Sequence, residues 1–239
     1  MQKLLLCTLV GIAFIAFHAP SAWLAWFLQF PGEGPGGHGP VLLNFAIFAC
    51  WGGIHSLLSR RFVKDLMKKW VGEDFVKPVS VIMMGITQCL MLYFWEPLNG
   101  TIWKAEGVFY WALTALFLGS FGLVFYSSIL LDYMEVLGVR KILRRIKGEP
   151  QKPPVLVLRG PYMYCRHPVY IATIAALWIG PVMTIGRLEF AILGTVYIFI
   201  GAWMEEITAR AEIGEEYKRY QDRVPMWVPC LGTKKKISR

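Results

Sequence analysis

The sequence predicts an all-α fold, a polytopic membrane helical bundle of five to six transmembrane helices in a single membrane domain, and three observations carry that prediction. Hydrophobic residues make up 56% of the 239 and charged residues 17%, with a mean hydropathy of +0.47, which is more apolar and less charged than a soluble domain. Six apolar runs approach the roughly 20 residues that a helix needs to cross a hydrocarbon core. The basic residues are gathered into blocks that alternate with those runs.

The first run, near residues 4–28, follows Lys3 and contains small residues at 19–22, the outline of a secretory leader. Its apolar character continues through residues 23–28, beyond that cleavage point, so it is read as a retained anchor. Residues 31–40 are rich in Gly and Pro and read as a turn-rich extracytoplasmic loop. Runs near 40–58, 78–98 and 108–131 complete a four-span N-terminal region, residues 1–131. The last two runs, near 168–184 and 188–204, belong to a C-terminal region, residues 132–239. They are short and nearly continuous, with Gly180-Pro181 and Gly186-Arg187 between or near them, which predicts a tight helical hairpin that tilts or stops short of the far face.

Charge then sets the orientation, because cytoplasmic loops retain Lys and Arg. Lys3, six residues within 60–77, eight within 140–166 and eight within 210–239 account for 23 of the 25 Lys and Arg, leaving Lys104 and Arg187. Six spans with both termini cytoplasmic satisfy this partition, as expected of a multi-pass protein in a bacterial or archaeal cytoplasmic membrane. The net charge of +9 is explained locally by basic faces against anionic headgroups, and no interleaving of aromatic and basic residues suggests a nucleic-acid partner. Five cysteines, at 7, 50, 89, 165 and 230, show no CxxC spacing, so neither a metal site nor a disulfide framework is expected, and Cys7, Cys50 and Cys89 read as small apolar residues within spans.

The chemistry-bearing residues concentrate in the C-terminal region. Arg159-Gly160-Pro161-Tyr162-Met163-Tyr164-Cys165-Arg166-His167-Pro168-Val169-Tyr170 precedes the fifth run, Glu205-Glu206 ends the sixth, and Glu215-Glu216-Tyr217-Lys218-Arg219-Tyr220 leads to Arg223-Val224-Pro225. Ionisable groups near membrane depth are costly unless paired or hydrated, so such a concentration at two helix ends predicts a cavity. Arg166 and Arg223 are suited to a ligand carboxylate, His167 to a hydrogen bond, Glu205 or Glu206 to an ammonium, and the faces of Tyr162, Tyr164, Tyr170, Tyr217 and Tyr220 to a cation. A small molecule with a carboxylate, an ammonium and a sulfonium matches that set, which points to S-adenosyl-L-methionine. Each residue also has a plainer reading: Lys218 and Arg219 as topology residues, Pro168 as a helix starter, Glu206 and Arg210 as a surface pair, the tyrosines as interfacial anchors.

Gly160-Pro161-Tyr162, Arg166-His167-Pro168 with Tyr170, Glu205-Glu206, and the stretch 217–225 resemble the isoprenylcysteine carboxyl methyltransferase and phospholipid methyltransferase superfamily of membrane enzymes. Asn44, His55-Ser56-Leu57, Gly138-Val139-Arg140, Pro181-Val182-Met183-Thr184-Ile185-Gly186, Gly214-Glu215-Glu216-Tyr217 and Val224-Pro225-Met226 make the chain most similar to the methanethiol S-methyltransferases within it, over roughly residues 40–229. One departure is Asp132-Tyr133-Met134-Glu135, where thiol methyltransferases carry an Asn-His-Phe-Asp-like run. The resemblance implies S-adenosylmethionine-dependent methylation of a small thiol such as methanethiol, giving a thioether such as dimethyl sulfide. Related activities are methylation of a prenylcysteine carboxylate or a lipid amine, and a non-catalytic binding or assembly role also occurs in the broad family.

A cofactor pocket on the cytoplasmic side would be formed by Gly160, Tyr162, Tyr164, Arg166, His167, Tyr170, Glu205, Glu206, Tyr217, Tyr220 and Arg223. Methyl transfer requires in-line displacement and no metal, and Arg166, suited to the ligand carboxylate, is also counted in the catalytic set. A thiol must become a thiolate, for which His55, Asp132 and Glu135 are the candidate bases.

Overall fold

A computed structural model of the chain describes residues 2–32, 34, 39–150 and 156–227. Its elements are helices α1 (Gln2–Gln29), α2 (Gly39–Leu58), α3 (Arg61–Val71) and α4 (Val76–Tyr93), strand β1 (Thr101–Lys104), helices α5 (Gly107–Leu130), α6 (Tyr133–Val136), α7 (Val139–Lys147) and α8 (Pro168–Trp178), strand β2 (Val182–Thr184), and helices α9 (Ile185–Ile213) and α10 (Glu215–Arg223). The all-α bundle stands, with five described helices (α1, α2, α4, α5 and α9) long and apolar enough to cross a membrane. In the loop at 31–40, residues 33 and 35–38 lie outside the described residues, as does Cys230, and α2 begins within that loop.

The expected third run at 78–98 is shorter as a helix, ending at Tyr93 before Glu96-Pro97. The sixth is longer: α9 continues to Ile213, carrying Glu205 and Glu206 on helix and not in a loop.

The fifth run, 168–184, is the instructive difference. α8 has 11 residues, roughly 16 Å at 1.5 Å per residue, which is half a bilayer core. The chain nevertheless reaches the opposite end, because β2 pairs antiparallel with β1, with Trp103 opposite Met183 and Lys104 opposite Val182. Backbone bonds from Ala105 N to Pro181 O (2.7 Å) and Ile185 N to Gly100 O (2.9 Å) flank the ladder. Half helix and half extended chain together run alongside α5, from its last turns to the strand that precedes it.

Arg187 makes this possible. Helix α8 ends at membrane depth with carbonyls that lack helical partners. The guanidinium of Arg187, 1% exposed, donates to Ile179 O and Val182 O at 2.8 Å and, more weakly, to Ala176 O at 3.3 Å. A Cβ at Gly180 would occupy the same space as that guanidinium, so the residue there has to be glycine. Arg187 is thus the plug of a broken helix.

Small residues set the packing elsewhere. Pro20 lacks the N–H that would bond Ala16 O, and that freed carbonyl lies against Gly85 of α4, where any Cβ would clash. At the far end of the bundle Phe190 meets Trp95, Phe27 and Phe48 at ring separations of 5.0, 5.2 and 5.7 Å. Buried Asn44 pins the loop after α4 by donating to Glu96 O and accepting from Glu96 N, both at 2.9 Å. The opposite end carries α3, α7 and α10, the basic blocks of the sequence. Phe62, Leu66 and Trp70 form one exposed face of α3, spaced for a helix lying in the interface plane.

Candidate functional site

The site is built where the start of α8, the last turns of α9, and α10 converge. Gly160, at φ +59°, opens a 3-10 turn over Gly160–Met163 that docks on the end of α5, where a Cβ would strike Leu130. Pro168 begins α8, which sets Arg166 and His167 just ahead of it. Gly214, at φ +74°, ends α9 and turns α10 back onto it. Arg166 N donates to Pro225 O at 3.0 Å, tying the segment after α10 to the segment before α8.

All of these elements meet on one carboxylate. Glu206 Oε1 accepts from Arg166 Nε (3.0 Å), Tyr217 OH (2.7 Å) and His167 Nε2 (2.7 Å), and Oε2 accepts from Arg166 Nη2 (2.8 Å) and Gln221 Nε2 (2.7 Å). Its side chain is 9% exposed and that of Arg166 10%. Arg166 turns its remaining Nη1 to Gln221 O (3.2 Å) and Val224 O (2.5 Å). The sequence suggested a ligand for Arg166 and Glu206; the structure gives each a full set of partners within the protein. Together they clamp α8, α9 and α10.

The tyrosines divide in the same way. Tyr220 donates to Tyr162 O at 2.6 Å, and Tyr162 to Ser127 O at 3.4 Å. Burial, and then the bond to Glu206, pushes the Tyr217 hydroxyl well above its usual range, and burial does the same for Tyr162 and Tyr220, so all three remain protonated donors. Burial likewise pushes the Cys165 thiol up, which suits a packing residue.

Beside this clamp lies an open face. Glu205, half exposed, accepts from Tyr170 OH at 2.7 Å through Oε2, and His167 Nδ1 is 3.9 Å from the same oxygen. The His167 and Tyr170 rings stack nearly parallel at 5.3 Å, and Trp227 approaches His167 at 5.8 Å. Tyr164 and Arg223 are exposed. A half-exposed carboxylate beside a cluster of aromatic rings is a suitable set of groups for a sulfonium or ammonium.

The remaining predicted residues lie apart from it. Asp132, at φ +62°, starts α6 and receives Arg140 Nη2 at 2.8 Å; Glu135 receives Arg144 Nη1 at 3.2 Å. Both acids therefore fasten α7. His55 packs on Trp51 and Tyr197, and its Nδ1 is buried with no partner among the described residues. His55 and Glu135 line a cavity of about 880 Å³ between α1, α2, α3, α4 and α6. Tyr197 meets Ser56 at 3.2 Å and lies edge-on to His55.

Two members of the site were not anticipated. Gln221 lies four residues after Tyr217, on the same face of α10, a spacing that could have flagged it. Trp227 had no signal in the sequence beyond its place after Pro225.

Methanethiol S-methyltransferase of Pseudomonas deceptionensis is 31% identical over 204 residues, covering 83% of this chain and 77% of that protein. Methanethiol S-methyltransferase 1 of Bradyrhizobium diazoefficiens is 31% identical over 191 residues, 79% of this chain and 67% of that protein. Nurim of Sus scrofa is 25% identical over 182 residues, 70% and 67% respectively. No family model and no solved structure matches the chain.

Proposed function

This chain belongs to the methanethiol S-methyltransferase family of integral membrane methyltransferases, and from that premise we propose that it moves a methyl group from S-adenosylmethionine to the sulfur of a small thiol such as methanethiol, releasing a thioether such as dimethyl sulfide. The observation that carries the reading is the open face of the site. There Glu205 presents one accessible carboxylate beside Tyr170 and His167, with Trp227 packed next to His167.

That donor set fits the cationic part of S-adenosylmethionine, whose contribution when bound is an electrophilic methyl group on a sulfonium. Glu205 would hold the ammonium, the rings of Tyr170 and Trp227 would face the sulfonium, and exposed Arg223 is the cation left for the carboxylate. Arg166, Glu206, Tyr217 and Gln221 act on these residues by holding His167 and the helix ends that carry Tyr170 and Glu205. Such rigidity matters because in-line displacement is sensitive to alignment, worth roughly 7 to 11 kcal/mol in favourable intramolecular systems. The basic end of the bundle is taken to face the cytoplasm, with both termini on that side, where the methyl donor is made.

The test uses purified protein with S-adenosylmethionine and a panel of thiols, prenylcysteines and lipid amines, scored for S-adenosylhomocysteine. Turnover with small thiols supports the reading; turnover confined to prenylcysteine or lipid amines overturns it.

A further inference from the structure

We propose that the cavity of about 880 Å³ on the N-terminal half is a second ligand site, distinct from the methyl-transfer site, that takes a single-chain anionic amphiphile: an apolar chain ending in a carboxylate or phosphate. Charge balance along its wall indicates the head group. Among the described residues of the wall, Asp65 pairs with Lys68 (2.9 Å), Glu73 with Lys141 (3.2 Å), Glu135 with Arg144 of the neighbouring α7 (3.2 Å), and Arg61 with Glu212 of α9 (3.1 Å). Every wall acid is thereby matched. Lys64 of α3 and Lys77 of α4 also line the cavity and make no ion pair among the described residues. Glu135 and Asp132 act on Lys77 only at longer range, and both acids are already bonded to arginines of α7, so two ammonium groups facing a recess without an ion-pair partner among the described residues select an anion.

The shape of the recess indicates the rest of the ligand. Its α4 wall runs from Val76 to Gln88, which is roughly 18 Å along a helix. Below the lysines that wall is faced by Val81, Met84 and Phe17, so an apolar chain would leave the charged mouth and descend along α4 toward Gly85. The volume lies within the range of small-molecule pockets, about 300 to 1,000 Å³, and far exceeds what a two-heavy-atom thiol would fill. Its charged lining lies at the basic end, on α3 and the start of α4, where a single-chain lipid would be supplied from the adjoining leaflet.

The experiment titrates dodecanoate, dodecyl phosphate, dodecanol and inorganic phosphate into the full chain in phosphatidylcholine nanodiscs and reads binding by calorimetry. Both amphiphilic acids should bind, with dodecanol and inorganic phosphate at least ten-fold weaker. Lys64→Ala with Lys77→Ala should lower affinity for the acids at least ten-fold, whereas Lys104→Ala, at the opposite end, should leave it unchanged. Met84→Trp, which fills the recess and spares every charge, should abolish acid binding while retaining S-adenosylmethionine binding as evidence of a folded protein. Dodecanol binding as tightly as the acids, inorganic phosphate matching dodecyl phosphate, or unaltered acid binding in either variant would overturn the proposal. Because no methyl transfer is read, failure here leaves the thiol reading untouched.

Discussion

Replacing Glu206 with glutamine isolates the clamp, since the substitution keeps shape and volume and removes charge. The native carboxylate receives five hydrogen bonds from four residues, three on Oε1 and two on Oε2. Whichever way the new amide turns, its NH₂ meets donors: Arg166 Nε, Tyr217 and His167 on one side, Arg166 Nη2 and Gln221 on the other. Arg166, only 10% exposed, also loses its counter-charge. Breaking one side of a buried ion pair costs about 3 to 5 kcal/mol. The expected result is a loss of that size in unfolding free energy, measured by SDS titration of purified protein in non-ionic micelles, with S-adenosylmethionine affinity falling alongside as α8, α9 and α10 loosen. Unchanged stability together with abolished S-adenosylmethionine binding would refute the reasoning, because Glu206 would then be facing a ligand and not holding helices.

Glu205→Gln should do the opposite, keeping stability near wild type while weakening S-adenosylmethionine binding roughly ten-fold or more by calorimetry, since a hydrogen bond to a charged group is worth about 1.5 to 3 kcal/mol. Burial raises the Asp132 carboxyl, but the hydrogen bond and charge of Arg140 outweigh it and hold the group below its usual range. That lowered value means Asp132 stabilises the fold fully above its unfolded pKa, about 4, and ceases to as pH falls further. Asp132→Asn, which tolerates the left-handed backbone, should therefore narrow its stability gap from wild type between pH 7 and pH 3, measured by denaturant midpoints; a constant gap would show that the ion pair contributes nothing. In a cysteine-free background, a thiol at Lys104 should be labelled from outside intact cells and one at Lys218 only after permeabilisation, and the reverse pattern would invert the membrane orientation.

Hydropathy made α1, α2, α4 and α5 legible to within a few residues, because a helix in lipid must satisfy its backbone internally and over a fixed length. It could not show that the fifth run would be half helix and half strand. That outcome depends on Arg187 reaching back to the carbonyls after α8 and on the pairing of 101–104 with 182–184, both contacts between positions that sequence period does not connect. Read from the sequence, Arg187 was a stray cation on the outer side. The polar cluster was legible as a set, and the structure does bring Arg166, His167, Tyr170, Glu205, Glu206, Tyr217 and Tyr220 together. What composition could not assign was which carboxylate is filled by protein donors and which stays open: Glu205 and Glu206 are adjacent on α9, and a rotation of about 100° per residue turns Glu206 into the clamp and Glu205 toward the open face beside it. Asp132 and Glu135 stood as candidate bases because a thiol has to lose its proton, and their partners came from α7, eight and nine residues along.

The most direct measurement of the central claim is the initial rate of S-adenosylhomocysteine formation by the purified chain with limiting methanethiol, followed from mildly acidic to alkaline pH. A thiolate is the reactive form of the acceptor, so the rate should rise with pH until the thiol is deprotonated, and prenylcysteine should give little product. A rate that does not change with pH, or robust methylation of prenylcysteine with no thiol turnover, would contradict the assignment of sulfur as the methyl acceptor.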